Sequence, residues 1–239
     1  MLILGFQKTT LIDYPGKLAS IIFTGGCNLR CPYCQNSGLA FDPDPEKTNA
    51  FSEEEVLSHL KKRRGMLEGL VITGGEPTLQ KDLIPFIEKV RALGLLIKLD
   101  TNGTNPALLK ELLGVKLLDY VAMDIKQSQD NYPAACGLSG SAAASLTEKV
   151  MESVSILLNC SIDYEFRTTI VSELFKDGDL PKIASMIKGA KRYFIQGFLE
   201  SPGVPEGCAF SSPSPEKMHE YEKIMKSYLP ETEVSLRGL

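Results

Sequence analysis

An α/β fold with a parallel sheet, wound as a barrel or partial barrel, follows from three features of these 239 residues. Apolar, β-branched runs alternate with helix-patterned segments along most of the chain. The connections between them are short, so each helix returns the chain to start the next strand in the same direction. Polar residues gather where the strand-like runs stop: Thr24-Gly25-Gly26, Gly74-Gly75-Glu76, Asp100-Thr101-Asn102, Asp124 with Lys126, Arg167 and Gln196. In a parallel barrel those C-terminal strand ends form one rim, where active sites are built.

Residues 1–18 read as a polar, turn-rich entry, and a strand is expected at 18–24. Gly25-Gly26 then lets the backbone turn and approach something closely. Cys27, Cys31 and Cys34 follow in a C-x3-C-x2-C spacing, and the prolines of 42–46 break the connection beyond. Ser52 as N-cap with Glu55 three residues on starts a helix that runs to about 64. Further strands are expected at 69–73, 95–99, 118–123, 164–171 and 193–196, with a last strand or tail at 233–236. The intervening helices are expected at 83–93, 106–113, about 145–158, 180–188 and 215–228. Small residues through Gly140, and the proline- and glycine-rich stretch 201–215, read as loops.

Composition narrows the class. With 43% hydrophobic and 23% charged residues the chain can bury one large core. The expectation is a single domain over 1–239, its core at about 18–200 and a C-terminal helix and tail at 201–239. A net charge of −4 argues against an extended nucleic-acid footprint. No apolar run approaches the roughly 20 residues that span a bilayer, and the start has no basic segment followed by a long apolar one, so no signal peptide is visible. Of the 6 cysteines three are clustered and three scattered, a thiol set of a reducing, oxygen-poor cytoplasm rather than a disulfide framework.

Three thiolates on a tight loop can hold three corners of a cubic iron–sulfur cluster, with one iron open to a chelating ligand. An amino acid supplies such a ligand through its amine and carboxylate together. At Gly74-Gly75-Glu76-Pro77 the backbone carbonyls or Glu76 can accept from an ammonium group, and Lys126 can answer a carboxylate. Asp100 and Asn102 can bond ribose hydroxyls. The same three cysteines can instead join a fourth ligand around structural zinc.

Other candidates read more plainly. Cys136 and Cys208 lie in loops and read as ordinary residues, with a fourth ligand or second reactive thiol as the alternative, and Cys160 reads as core. His59 and His219 read as solvated helix residues, and Lys61-Lys62-Arg63-Arg64 as a solvated helix end matched to the dipole there. Arg167 is either a rim residue near a cofactor or an ion-paired structural one.

Cys27-x3-Cys31-x2-Cys34 followed by Gly74-Gly75-Glu76-Pro77 resembles the radical S-adenosylmethionine superfamily. The resemblance implies a partial (β/α)6 barrel in which the three cysteines bind a [4Fe–4S] cluster whose fourth iron chelates S-adenosyl-L-methionine. It further implies reductive cleavage to methionine and a 5′-deoxyadenosyl radical. Tyr33 resembles the family residue near the adenine, while Asp100-Thr101-Asn102-Gly103 and Asp124-Ile125-Lys126 resemble motifs of glycyl-radical activating enzymes around the ribose and methionine parts. The stretch from Gly5 to Gly16 resembles the branch that activates anaerobic ribonucleoside-triphosphate reductase. The implied partners are a glycyl-radical enzyme, whose glycine loses a hydrogen, and a flavodoxin- or ferredoxin-type electron donor. A pyruvate formate-lyase-type partner, or a small-molecule substrate as in 7-carboxy-7-deazaguanine synthase, is the alternative. Gln35 departs from the histidine many activating enzymes carry after the third cysteine, and no ferredoxin-like insertion with extra cysteine runs is present.

Overall fold

The computed structural model describes the chain apart from residues 45, 47–49, 141–142, 144, 202, 206–208 and 239. Its packing divides into two compact units. The first comprises Met1–Asn28, Asn36–Thr101 and Ala107–Val121, and the second Leu29–Gln35, Asn102–Pro106 and Ala122–Leu239.

In the first unit β1 (Ile3–Thr10) lies antiparallel to β2 (Ala19–Thr24), which pairs in parallel with β3 (Gly69–Gly74), itself parallel to β4 (Leu96–Thr101). The short helix α1 (Ser37–Ala40) follows β2, and α2 (Glu53–Lys62), α3 (Leu83–Arg91) and α4 (Pro106–Gly114) make the returns between strands. Leu70, Val71 and Ile72 of β3 are all fully buried, as a parallel strand covered on both faces requires. The expected start of α2 is present as a capping box: Ser52 Oγ accepts from Glu55 N at 3.1 Å, and Glu55 Oε2 accepts from Ser52 N at 2.8 Å.

β1 corrects the expected turn-rich entry. Ile3 and Leu4 are buried while Gln7, Lys8 and Thr9 face solvent, so the segment reads polar although it pairs along β2. The turn lies beyond it, where Thr10 Oγ1 accepts from the backbone N–H of Ile12 and Asp13, each at 3.3 Å.

β5 (Tyr120–Asp124) passes from the first unit to the second. There the short helix α5 (Tyr132–Ala135) and α6 (Leu146–Leu158) precede β6 (Asp163–Ile170). After α7 (Asp179–Met186), β7 (Arg192–Gly197) joins β6 in parallel, and after α8 (Pro215–Tyr228), β8 (Glu233–Arg237) joins β7. The fully buried Glu165 carboxylate accepts both Arg237 amino groups, at 2.6 and 3.0 Å, and that guanidinium lies 3.4 Å above the Phe194 ring. A buried carboxylate is tolerated because it is paired in this bidentate way. Among the described residues no helix is long and apolar enough to cross a membrane.

Ile72 is fully buried and Ile12 is 88% exposed. Ile72→Ala is expected to lower unfolding free energy by about 2–5 kcal/mol, and Ile12→Ala to change it by less than about 0.5 kcal/mol, both read from urea unfolding monitored by circular dichroism.

Candidate active site

In the first unit β2 and β3 end in register, Thr24 beside Gly74. Gly75 N donates to Thr24 O and Glu76 N to Gly26 O, both at 2.8 Å. Gly74 adopts φ of +114°, and a Cβ there would stand 2.4 Å from Thr24 N. A Cβ on Gly75 would stand 2.0 Å from Gly26 O. No side chain fits either place, so these glycines permit two loop backbones to meet. The sequence alone assigns them to the approach of a ligand; the contact between the loops is the use it does not reveal.

Glu76 is fully buried, and its Oε1 accepts from Thr78 N at 3.1 Å, Thr78 Oγ1 at 2.6 Å and Thr101 Oγ1 at 2.8 Å. Those bonds cap the turn at Pro77–Leu79 and tie it to the end of β4. One residue before Thr101, Asp100 accepts from the buried Lys98 Nζ at 2.5 Å, and that ammonium also faces the Tyr120 ring at 5.9 Å. Thr78, Thr101 and Lys98 are the supporting residues that sequence reasoning missed.

In the second unit Asp124 lies between two cations. Its Oδ2 accepts from Lys126 Nζ at 2.9 Å and its Oδ1 from Arg167 Nε at 3.0 Å. Burial alone would raise the Asp124 carboxyl, but the two cations outweigh it and hold the group at about 2. Burial likewise works against the Lys126 ammonium, and the Asp124 carboxylate reverses that and raises it. Arg167 is thus both ion-paired and beside the candidate site residues, which joins the two readings the sequence left open.

Cys31 and Tyr33 face the same cluster of charges. A hydrogen bond from Cys136 lowers the Cys31 thiol, burial opposes this, and Lys126 lowers it again, to about 7. Tyr33 is 4% exposed, its hydroxyl meets no partner among the described residues, and burial raises it far above the ordinary phenol range. Tyr132 adds a second buried phenol, receiving Lys126 N at 3.2 Å and donating to Asp124 O at 3.3 Å. Asn102 Oδ1 accepts from Thr104 N at 3.0 Å and Thr104 Oγ1 at 2.7 Å, a local turn that sets the side chain.

The remaining cysteines and histidines divide as follows. Cys136 lies in the turn after α5, as the sequence predicts, and is fully buried, while Cys160 is half-buried rather than core. Cys208 lies outside the described residues. His219 is solvated, with its side chain 59% exposed. His59 is partly enclosed instead, edge-on to Phe6 at 5.3 Å with Nε2 unpartnered. Gln35 Nε2 donates to Leu199 O at 2.8 Å.

A model of the radical SAM superfamily matches residues 21–174. The chain belongs to the radical SAM superfamily. Its fold is the α/β partial barrel of that family and its cofactors are the family's [4Fe–4S] cluster and S-adenosylmethionine. A Methanocaldococcus jannaschii protein provisionally named a glycyl-radical enzyme activating enzyme is 32% identical over 232 residues, 95% of this chain and 93% of the relative. The 7-carboxy-7-deazaguanine synthase of Thermococcus kodakarensis is 28% identical over 76% of this chain and 74% of its own length. Among solved structures, Streptococcus suis SuiB bound to its precursor peptide SuiA matches with a TM-score of 0.71 at 12% identity, over 91% of this chain and 48% of that one. The anSMEcpe structure with bound AdoMet matches with a TM-score of 0.60 at 20% identity, over 90% of this chain and 61% of that one. The chain thus spans about half the length of SuiB.

Among the described residues no three His, Cys, Asp or Glu side chains stand as a ready-made metal cage. The ligand set rests on the spacing of Cys27, Cys31 and Cys34, of which Cys27 belongs to the first unit and the others to the second. The surroundings fit the cofactors chemically: a thiol lowered toward thiolate, the form that ligates iron, two fixed cationic side chains of the kind that answer a carboxylate, and a buried hydroxyl with bonding capacity left over among the described residues.

Gly75→Ala should force apart the loops that meet at Gly26, with S-adenosylmethionine binding at least about tenfold weaker by isothermal titration of reconstituted protein. Gly38→Ala, where a Cβ meets nothing within 4 Å, should leave that affinity unchanged.

Proposed function

We propose that this enzyme activates a glycyl-radical enzyme, and that its partner is an anaerobic ribonucleoside-triphosphate reductase. The observation that carries the reading is the 32% identity sustained over 95% of the chain to a relative named for that activation. With both cofactors bound, one electron from the cluster cleaves the sulfonium of S-adenosylmethionine and supplies a carbon radical able to take a hydrogen atom.

The protein's part is to bind, orient and exclude water. Cys27, Cys31 and Cys34 would hold three irons of the cluster, leaving the fourth for the amine and carboxylate of S-adenosylmethionine. Lys126 and Arg167, fixed by Asp124, answer the carboxylate and stay charged across the physiological range. The Gly74-Gly75 backbone, held against β2, offers carbonyls to the ammonium group, with Glu76 fixed behind it by Thr78 and Thr101. Asp100 and Asn102, set by Lys98 and Thr104, would bond the ribose hydroxyls, and Tyr33 would meet the adenine. The hydrogen atom comes from a glycine Cα of the partner, where the flanking amides delocalise the unpaired electron and let it persist. A flavodoxin- or ferredoxin-type protein supplies the electron, in a reducing cytoplasm.

Cys31→Ala should reduce iron from about four per chain to background after anaerobic reconstitution. Rapid-freeze electron paramagnetic resonance with reduced enzyme, S-adenosylmethionine and candidate partners is expected to show a glycyl doublet on the ribonucleotide reductase. A doublet only on a pyruvate formate-lyase-type enzyme would reassign the partner. Cofactor cleavage without a doublet on any candidate would move the reading to a small-molecule substrate, the class to which the 28% identical Thermococcus relative points.

A further inference from the structure

We propose that the half-exposed face of the second unit's sheet, where Thr169, Gln196 and Arg237 stand in one row, binds the glycine-bearing peptide segment of the protein substrate through its backbone amides. The inference rests on the reading of the substrate as a glycyl-radical enzyme and names the surface that receives it.

Strands β6, β7 and β8 bury one face and leave the other open. Phe166, Ile170, Tyr193, Ile195 and Val234 are buried, and α8 packs against β7 and β8. At the alternate positions Arg167, Thr169, Phe194, Gln196, Ser235 and Arg237 are all half-buried. Side chains alternate across a strand, so these six share one face. The register sets Thr169 beside Gln196 and Gln196 beside Arg237, with Arg167, Phe194 and Ser235 in the adjoining row. A parallel sheet ordinarily has both faces covered, and a polar face left half open is suited to a ligand.

The chemistry of the row selects the ligand. Among the described residues the side chains of Thr169, Gln196 and Ser235 bond no protein group. Arg237 bonds Glu165 at 2.6 and 3.0 Å and lies 3.4 Å above the Phe194 ring, which fixes its plane and leaves other donors of the five-donor guanidinium unspent. Its charge is met by Glu165, and the other side chains of the row carry none. A phosphate ligand calls for a cation in surplus. A peptide backbone offers neutral acceptors and donors in alternation, and a guanidinium edge, a carboxamide and a hydroxyl answer both. Neighbouring strands lie about 4.8 Å apart, so the row runs about 10 Å, the length of about three residues of extended chain. A glycine brings no side chain, so its backbone can lie directly against such a surface.

The face also runs on into the candidate active site, because Arg167 in the adjoining row donates to Asp124 at 3.0 Å. None of the residues proposed to contact the cofactors lies on β7 or β8, which leaves Gln196, a strand-end residue, without a part in cofactor binding.

The test uses the full chain, anaerobically reconstituted and saturated with S-adenosylmethionine. The probe is a synthetic peptide copying the glycine-bearing segment of whichever candidate partner shows the glycyl doublet, with binding read by isothermal titration. Gln196→Met and Thr169→Val remove bonding groups and keep the shape, so each should bind the peptide about fivefold to tenfold more weakly. Iron per chain and S-adenosylmethionine affinity should match the parent, which a misfolded variant would not achieve. Peptides N-methylated one amide at a time locate the bonded amide. One such methylation should weaken binding to the parent about fivefold and to the Gln196→Met protein by less than about twofold. If one variant does not fold, the other decides. Arg237 is left in place, since its loss would strand the buried Glu165 carboxylate. Unchanged peptide affinity in the variants, or methylation losses equal in parent and variant, would overturn the inference with the activase reading intact. A parent that binds no peptide yet yields the doublet on the whole partner would do the same. No doublet on any candidate would overturn both.

Discussion

The close meeting of two backbones, Gly75 against Gly26, fixes much of the first unit. With the peptide groups bonded at 2.8 Å and no room for a Cβ, the chain after β3 can leave in only one direction. That direction buries Glu76, and a buried carboxylate must find donors, which Thr78 and Thr101 provide. The same constraint reaches back to the N-terminus. Gln80 Nε2 donates to Gly25 O at 2.8 Å while its Oε1 accepts from Leu2 N at 2.9 Å, so one side chain fastens the cysteine loop's first residues to the strand beside them. A motif that looks like a ligand signature is thus also a structural clasp.

In the second unit the organising term is electrostatic. Asp124 pairs with both Lys126 and Arg167, and it keeps two long cationic side chains in fixed positions that solvent alone would not hold. The side chains are only partly exposed, between 14% and 27%, so their attraction is less screened than that of surface pairs. Positive charge held this way also favours a thiolate at Cys31.

Much of this was legible in the residues. Strand ends rich in glycine and acid marked the functional motifs, because strand periodicity breaks visibly there, and Ser52 with Glu55 announced the start of α2 in full. β1 was not legible, because Gln7, Lys8 and Thr9 face solvent and mask the strand that Ile3 and Leu4 begin. Cys136 was not legible for a different reason. Nothing local distinguishes a cysteine at the end of a four-residue helix, and its place is fixed by a backbone bond from Arg30, far away in the chain. Thr78, Thr101 and Lys98 were hidden likewise, since a supporting hydrogen bond leaves no spacing pattern.

The N-terminal strand carries a consequence of another kind. β1 borders a sheet, and beyond β2 its other side meets only an isolated bridge from Ile3 to Phe51 among the described residues. An unpaired strand edge invites a second molecule to add on and start a fibre-like stack. Here the register slips between Ile3 and Gly5 and again between Gln7 and Thr10, and the exposed span between carries Lys8. An irregular edge bearing a charge is a poor template for another strand. The polar character that conceals β1 as a strand also makes its free edge a poor place for another strand to join.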